Sequence, residues 1–296
     1  MNRTISRIVC LWISACYFLA RALWKILQRS TGLAAGEGVV LCYHAISPRH
    51  AAAFSAQMET LRRYCIPVAP NHTGKVPGNK RFAAVTFDDG HKSVLQNAIP
   101  ILRRYQIPCA IFFITELFGR PAPWAGVKGY DREDTYLTED DIRQLPCELV
   151  IVGSHTATHP RLPRLARAQR VCELADSRKR LQQLTGQPVD LFAFPYGAQN
   201  GDCVREAAEA GYQRVFTVEP KAAFRRPNEY VTGRVVADPD DWKIEFLLKL
   251  HGAYNWRSHL FVLRDRLRMA RVCKEKITVD DLDSIRIESK WRVTEV

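Results

Sequence analysis

No two of the nine cysteines in this 296-residue chain are spaced as a CxxC pair. They stand at positions 10, 16, 42, 65, 109, 147, 172, 203 and 273, an odd and scattered set lying mostly in apolar or helical segments. This excludes a cysteine-ligated metal site and indicates free thiols, which favour a reducing compartment. No GxGxxG follows an early strand and no GxxxxGK occurs, so a dinucleotide fingerprint and a phosphate-cradling loop are both missing. No repeat of fixed period is visible, which sets a solenoid aside. Zinc-finger spacing, RNP-like aromatic patterning and a concentrated basic recognition helix are absent too. The net charge of +12 therefore reads as a basic solvated surface, attracted to polyanions in general, and not as a nucleic-acid site.

What is present is ordinary for a globular protein: 47% hydrophobic and 25% charged residues, in a length that suits one large domain. The amino terminus stands out. Ile8 to Ala20 is strongly apolar and is preceded by Arg3 and Arg7, like the core of a signal anchor. Arg21 interrupts the run, leaving it short of the ~20 residues that cross a bilayer. Snorkelling of Arg21 would let Ala22–Trp24 and Ile26–Leu27 extend it. Residues 1–32 are accordingly assigned as a membrane-associating segment, at the inner membrane or elsewhere in the cell envelope, with the side undetermined. A cleaved signal and a core-docking helix are the alternatives; no clean small-x-small cleavage site follows.

After a Gly/Ala-rich linker, Val39-Val-Leu-Cys-Tyr43 reads as a first buried strand ending in His44. Helical periodicity over 53–64 and a Pro/Gly loop lead to the strand Phe82–Phe87. Alternation continues with helices over 93–105, 139–145, 165–184 and 202–210 and strands over 109–114, 148–153, 190–194, 214–218 and 230–237. Such alternation specifies parallel strands with crossover helices, as a barrel or a doubly wound sheet. His44, Asp88, Asp89, His155, Pro195 and Tyr196 all fall at or just beyond strand C-termini, from widely separated strands. That distribution selects a barrel.

In Thr86-Phe-Asp-Asp-Gly90 the strand ends in two adjacent carboxylates. Successive residues there point in different directions, so one carboxylate can hold a cation while the other stays free to take a proton. His155 and His159, in Gly153-Ser-His-Thr-Ala-Thr-His-Pro160, follow another strand. Their spacing brings both imidazoles to one point if the intervening backbone makes a helical turn. Two imidazoles and one carboxylate make a facial triad with open positions, the arrangement of a catalytic divalent ion.

Thr86–Gly90, the His155/His159 motif and Phe192-Ala-Phe-Pro-Tyr-Gly197 resemble, in order and spacing over residues 38–255, the three leading motifs of the polysaccharide deacetylase family, the NodB-homology domain of carbohydrate esterase family 4. The resemblance implies a distorted TIM-like (β/α)7-type barrel. It implies Asp88 as catalytic base, Asp89, His155 and His159 as ligands of a divalent metal, expected to be zinc, and the Tyr196 amide beside Pro195 as oxyanion donor. Many relatives carry an arginine that orients the base where this chain has Ala193; Arg234 on a late strand is assigned that part. Leu248-Lys-Leu-His251 matches a late proton-donor motif only superficially, because 245–253 reads as an amphipathic helix, so His44 is assigned as general acid. Tyr43, Phe87, Phe194 and Trp242 could stack on sugars, though core packing is the commoner fate.

The implied function is metal-dependent removal of acetyl groups from N-acetylated amino sugars of a polysaccharide or glycolipid-linked glycan. The alternatives are a deacylase of another amide or O-acetyl ester, and a glycan-binding protein whose hydrolytic site has decayed. The stretch 256–296 is read as a basic helical extension, with Leu260, Leu263, Leu267 and Ala270 at helical spacing among arginines.

Overall fold

Strands as apolar as Val39–Tyr43 and Phe82–Phe87 must be covered on both faces, and a closed parallel sheet wrapped in helices does this. The computed structural model describes residues 3–30, 36–77, 80–122 and 134–258. Its elements are α1 (Arg3–Ser30), β1 (Glu37–Tyr43), α2 (Ala51–Tyr64), β2 (Ile66–Pro67), β3 (Arg81–Phe87), α3 (Ile99–Tyr105), β4 (Cys109–Phe113) and α4 (Glu139–Arg143), followed by β5 (Val150–Ser154), α5 (Arg167–Thr185), β6 (Leu191–Ala193), α6 (Gly201–Glu209), β7 (Arg214–Thr217), β8 (Val231–Gly233), β9 (Val235–Val236) and α7 (Lys243–Leu250). The chain up to Asn255 forms one compact unit.

All named strand pairs are parallel, in the order β8-β7-β6-β5-β4-β3-β1-β9, with the short β2 beside the start of β3. The expected single strand over 230–237 is split at Arg234. Its first half bonds to β7 and its second half to β1, through Leu41↔Val235 and Cys42↔Val236. That one segment closes the sheet, so seven strand positions surround the axis when β8 and β9 count as one. The structure is a distorted (β/α)7-type barrel.

Strand alternation sorts the core into two layers. Val40, Ala84, Ala110, Phe112, Leu191, Ala193 and Phe216 fill the interior, each at most 1% exposed. The intervening residues, among them Leu41, Val85, Ile111 and Phe113, face outward and pack with Phe54, Met58, Leu61 and Leu102 of the helices. The expected helix over 93–105 starts instead as a wider π turn at Val94–Ala98, and Pro100 takes the second position of α3, where its missing N–H costs nothing. All cysteines among the described residues are free thiols. Over Thr4–Trp24, α1 is long and apolar enough to cross a membrane. The basic extension expected beyond residue 258 lies outside the described residues.

Candidate active site

Ala84 and Thr86 point into the barrel, and Asp88 continues their alternation two residues further. Its N–H donates to the Tyr43 carbonyl at 2.9 Å, extending the β1–β3 ladder past the strand end and setting the direction of its side chain. The backbone then breaks away. Asp89 and Gly90 both have left-handed φ, at 71° and 75°. A Cβ on Gly90 would meet the Phe113 ring at 2.5 Å, so this turn needs glycine for space as well as for conformation. Asp89, with its side chain, holds a conformation that costs on the order of 1–3 kcal/mol and is seen mainly at functional sites.

Asp88 is buried, and Arg234 grips it with both arms. Arg234 Nη1 donates to Oδ1 at 2.6 Å and Nη2 to Oδ2 at 2.8 Å. The guanidinium is fully buried; it also donates to Thr86 Oγ1 and to the Thr217 carbonyl, and it lies 5.3 Å from the Phe112 ring. The Cys42 thiol reaches Asp88 Oδ2 at 3.3 Å, and burial pushes that thiol's pKa well up, so it stays a protonated donor. Burial would raise the Asp88 pKa, but Arg234, with His155 and His44 adding to it, outweighs burial and holds it at about 2. Asp88 is therefore a carboxylate across the physiological range, in a fixed orientation.

Asp89 meets the two histidines. Its Oδ1 lies 3.5 Å from Nε2 of His155 and 3.5 Å from Nε2 of His159, is buried, and makes no hydrogen bond. His155 Nδ1 donates to the Ala193 carbonyl at 2.8 Å, which leaves Nε2 facing the carboxylate. Burial, reinforced by His155, lowers the His159 pKa to about 4, so this ring is neutral at pH 7. Ligand atoms of three side chains converging on one point suit a cation. A carboxylate and two imidazoles are the donor set of a divalent metal, with zinc among those it accommodates. One ligand atom from each of the three lies within 4.8 Å of the others, and this is the one such group among the described residues.

The imidazoles do not converge through a helical turn, as their spacing suggested. Residues 155–159 form an irregular loop in which Thr156 and His159 have φ of 71° and 64°. Glu173 on α5 shapes it by accepting from the N–H of Ala157 at 2.8 Å, the N–H of Thr158 at 3.0 Å and the Thr158 hydroxyl at 2.6 Å. A second support is His91, fully buried between Asp89 Oδ2 at 3.6 Å and Asp134 Oδ2 at 3.0 Å. Burial disfavours its charge, but the hydrogen bonds of Asp134 and Asp89 raise its pKa to about 9. His91 in turn helps hold the Asp89 carboxyl well below its usual range, against burial. Sequence reasoning passed over His91, Asp134, Glu173 and Cys42; only His91 carried a local signal, two residues from Asp89.

His44 follows β1 at the same rim, and its charge bears on Asp88, Asp89 and His159 alike. Pro195 and Tyr196 form a tight turn after β6, with Tyr196 at φ 58°. The half-exposed Tyr196 ring lies 4.6 Å from His159, and the Arg161 guanidinium sits 4.1 Å above it. His251 lies elsewhere, against Phe18 and Tyr64 and beside Arg81, at the opposite end of β3 from Asp88. Tyr43, Phe87 and Phe194 are wholly buried in the core, and Trp242 lies under the Arg7 guanidinium.

Comparison with known proteins agrees with this geometry. The polysaccharide deacetylase family model matches residues 75–215, a stretch that contains the Asp88–Asp89 pair, both histidines and the Tyr196 turn. YxkH of Bacillus subtilis, which bears a polysaccharide deacetylase name, is 29% identical over 161 residues, covering 54% of this chain and 53% of its own. The poly-beta-1,6-N-acetyl-D-glucosamine N-deacetylase of Staphylococcus aureus is 28% identical over 190 residues, 60% of each chain. The chain thus spans little more than half the length of the curated relatives it matches. The structure of IcaB from Ammonifex degensii superposes with a TM-score of 0.60 at 26% identity, covering 72% of this chain and 97% of that one. The barrel and the carboxylate–imidazole cluster at its rim thus lie on a chain whose residues 75–215 match the polysaccharide deacetylase family.

Proposed function

We propose that the protein is a metal-dependent hydrolase that removes acetyl groups from N-acetylated amino sugars of a polysaccharide or glycolipid-linked glycan. The observation that carries this is the division of labour in the carboxylate pair: Asp89 faces two imidazoles while Asp88, beside it, is held by Arg234 and turned to the barrel mouth. The relatives named for N-acetylglucosamine polymers support the substrate class.

Asp89, His155 and His159 would hold the ion, zinc by this reading, which polarises a carbonyl and lowers the pKa of water. The chain's own groups do the rest. Asp88, ionised and kept in place by Arg234, takes the proton of the attacking water. The Tyr196 N–H donates to the carbonyl oxygen as negative charge develops there. His44 gives a proton to the nitrogen as the C–N bond breaks, so amide and water become acetate and free amine. Pro195 keeps the Tyr196 turn rigid.

The length and apolar character of α1 support a location at a membrane of the cell envelope. The test of the activity is release of acetate and free amine from N-acetylglucosamine oligomers with zinc or cobalt added. Both products are expected in equal amounts; release only from O-acetylated sugars overturns the substrate assignment.

A further inference from the structure

A surface helix ordinarily turns its apolar stripe to the protein and its charges to water. In α1 the inner face carries the charges, beside Leu11, Ala15 and Phe18 packed on the core, and the outer face is apolar. Arg7, Ser14 and Arg21 recur at intervals of seven and so share one face, and that face is the one against the domain. Arg7 Nε donates to Glu245 Oε2 at 2.6 Å and Nη2 to the Asp240 carbonyl at 2.6 Å, with its guanidinium 4.5 Å from the Trp242 ring. Ser14 is fully buried. Arg21 pairs with Glu37 and donates to the Gly252 carbonyl at 3.0 Å. The outer face carries Ile5, Val9, Trp12, Leu19, Leu23 and Trp24, each between 45% and 69% exposed. Over the 21 residues Thr4–Trp24 this is an apolar strip roughly 30 Å long, more than a monomer leaves facing water.

We infer that α1 lies in the plane of a lipid bilayer, with its outer face sunk among the acyl chains and its inner face clamped to the barrel. This rests on the membrane location proposed above and says how the molecule sits there. Charge selects anionic lipid over a second copy of this chain. The sequence flanks the apolar run with Arg3 before it and Lys25 and Arg29 after it, and two like copies of a +12 chain repel while an anionic surface attracts. Trp12 and Trp24 suit the lipid–water boundary. Crossing the bilayer is disfavoured by the clamp. Arg7 and Arg21 lie roughly 21 Å apart along the helix, so a span would carry both into a hydrocarbon layer of ~30 Å and break their pairs with Glu245 and Glu37.

The clamp also orients the site. Arg7 binds at the start of α7, just beyond the strand ends that carry the catalytic groups, and Arg21 binds at the end of α7 and the start of β1. The helix therefore runs along the barrel's flank, and the barrel lies on its side with its mouth opening along the lipid surface.

The experiment uses the full chain and vesicles of phosphatidylcholine with a minor share of phosphatidylglycerol. Flotation of the protein with these vesicles is expected, and Trp12→Glu combined with Leu19→Glu should cut the bound fraction by about tenfold or more, with circular dichroism and bound metal unchanged. Depth is read by bromolipid quenching, as the difference between the protein and Trp12→Phe. Stronger quenching by bromine near the headgroups supports the in-plane helix. Stronger quenching by bromine near the chain ends overturns it in favour of a span, because Trp12 would then sit near the bilayer centre; the membrane location would stand. Absence of flotation, with a dimer in solution that the double substitution dissociates, overturns both.

Discussion

At the scale of residues, the decisive contact is the one between Asp88 and Arg234. Removing one partner of a buried ion pair leaves the other charge without compensation, at a cost of about 3–5 kcal/mol. Arg234→Gln is expected to destabilise the protein by that order in urea unfolding at pH 7. A carboxyl whose folded pKa lies at about 2, below its ordinary value of 3.8, adds stability above 3.8 that is lost as pH falls through 2. The gap between wild type and Arg234→Gln should therefore be full at neutral pH and narrow through that acid window. With Arg234 gone, the strongest group opposing burial at Asp88 is lost and the acid limb of the kcat/KM profile should move to higher pH. An unmoved limb would show that Arg234 does not set the state of the base. Asp88, Asp89, His155 and His159 were all legible, because each motif is local and sits at a strand end. The partners of Asp88 were harder to read: Arg234 is 146 residues away and was reached only through the arginine missing at Ala193.

At the scale of elements, the loop after β5 is held by the helix after it. Two left-handed residues, Thr156 and His159, make the loop costly by itself, and Glu173 on α5 offsets that cost by satisfying three donors at once. Glu173→Ala is expected to lower zinc affinity about tenfold in chelator competition and to cost about 1 kcal/mol or more in urea unfolding, with the secondary structure unchanged. Unchanged affinity would mean that the loop keeps its shape without this clamp. Periodicity located the helices and strands but misjudged two features. The His155–His159 spacing suits a helical turn, yet hydrogen bonds to Glu173 made a different loop better. The continuous apolar run over 230–237 looks like one strand, yet its two halves bond to different neighbours because the barrel closes there. Neither outcome is encoded within the segment that shows it.

For the whole molecule, the apolar core is complete without an ion: the interior layer and the outer layer are formed by side chains alone. Chelation is therefore expected to abolish deacetylation and leave the far-ultraviolet circular dichroism intact, with activity restored by zinc or cobalt. Zinc at about a hundred times its dissociation constant should add about 2.7 kcal/mol to unfolding stability. Collapse of the secondary structure on chelation would make the metal structural instead. The sequence by itself determined the alternation of strands and helices, the strand-end placement of the carboxylates and imidazoles, and the apolar character of the amino terminus, because period and motif are properties of neighbouring residues. Barrel closure, the Arg234 grip on Asp88, the His91–Asp134 support and the face that α1 turns outward were decided only by the tertiary structure. Each of these joins groups that are distant along the chain, and it is the burial of charge in a closed barrel that makes such partners obligatory.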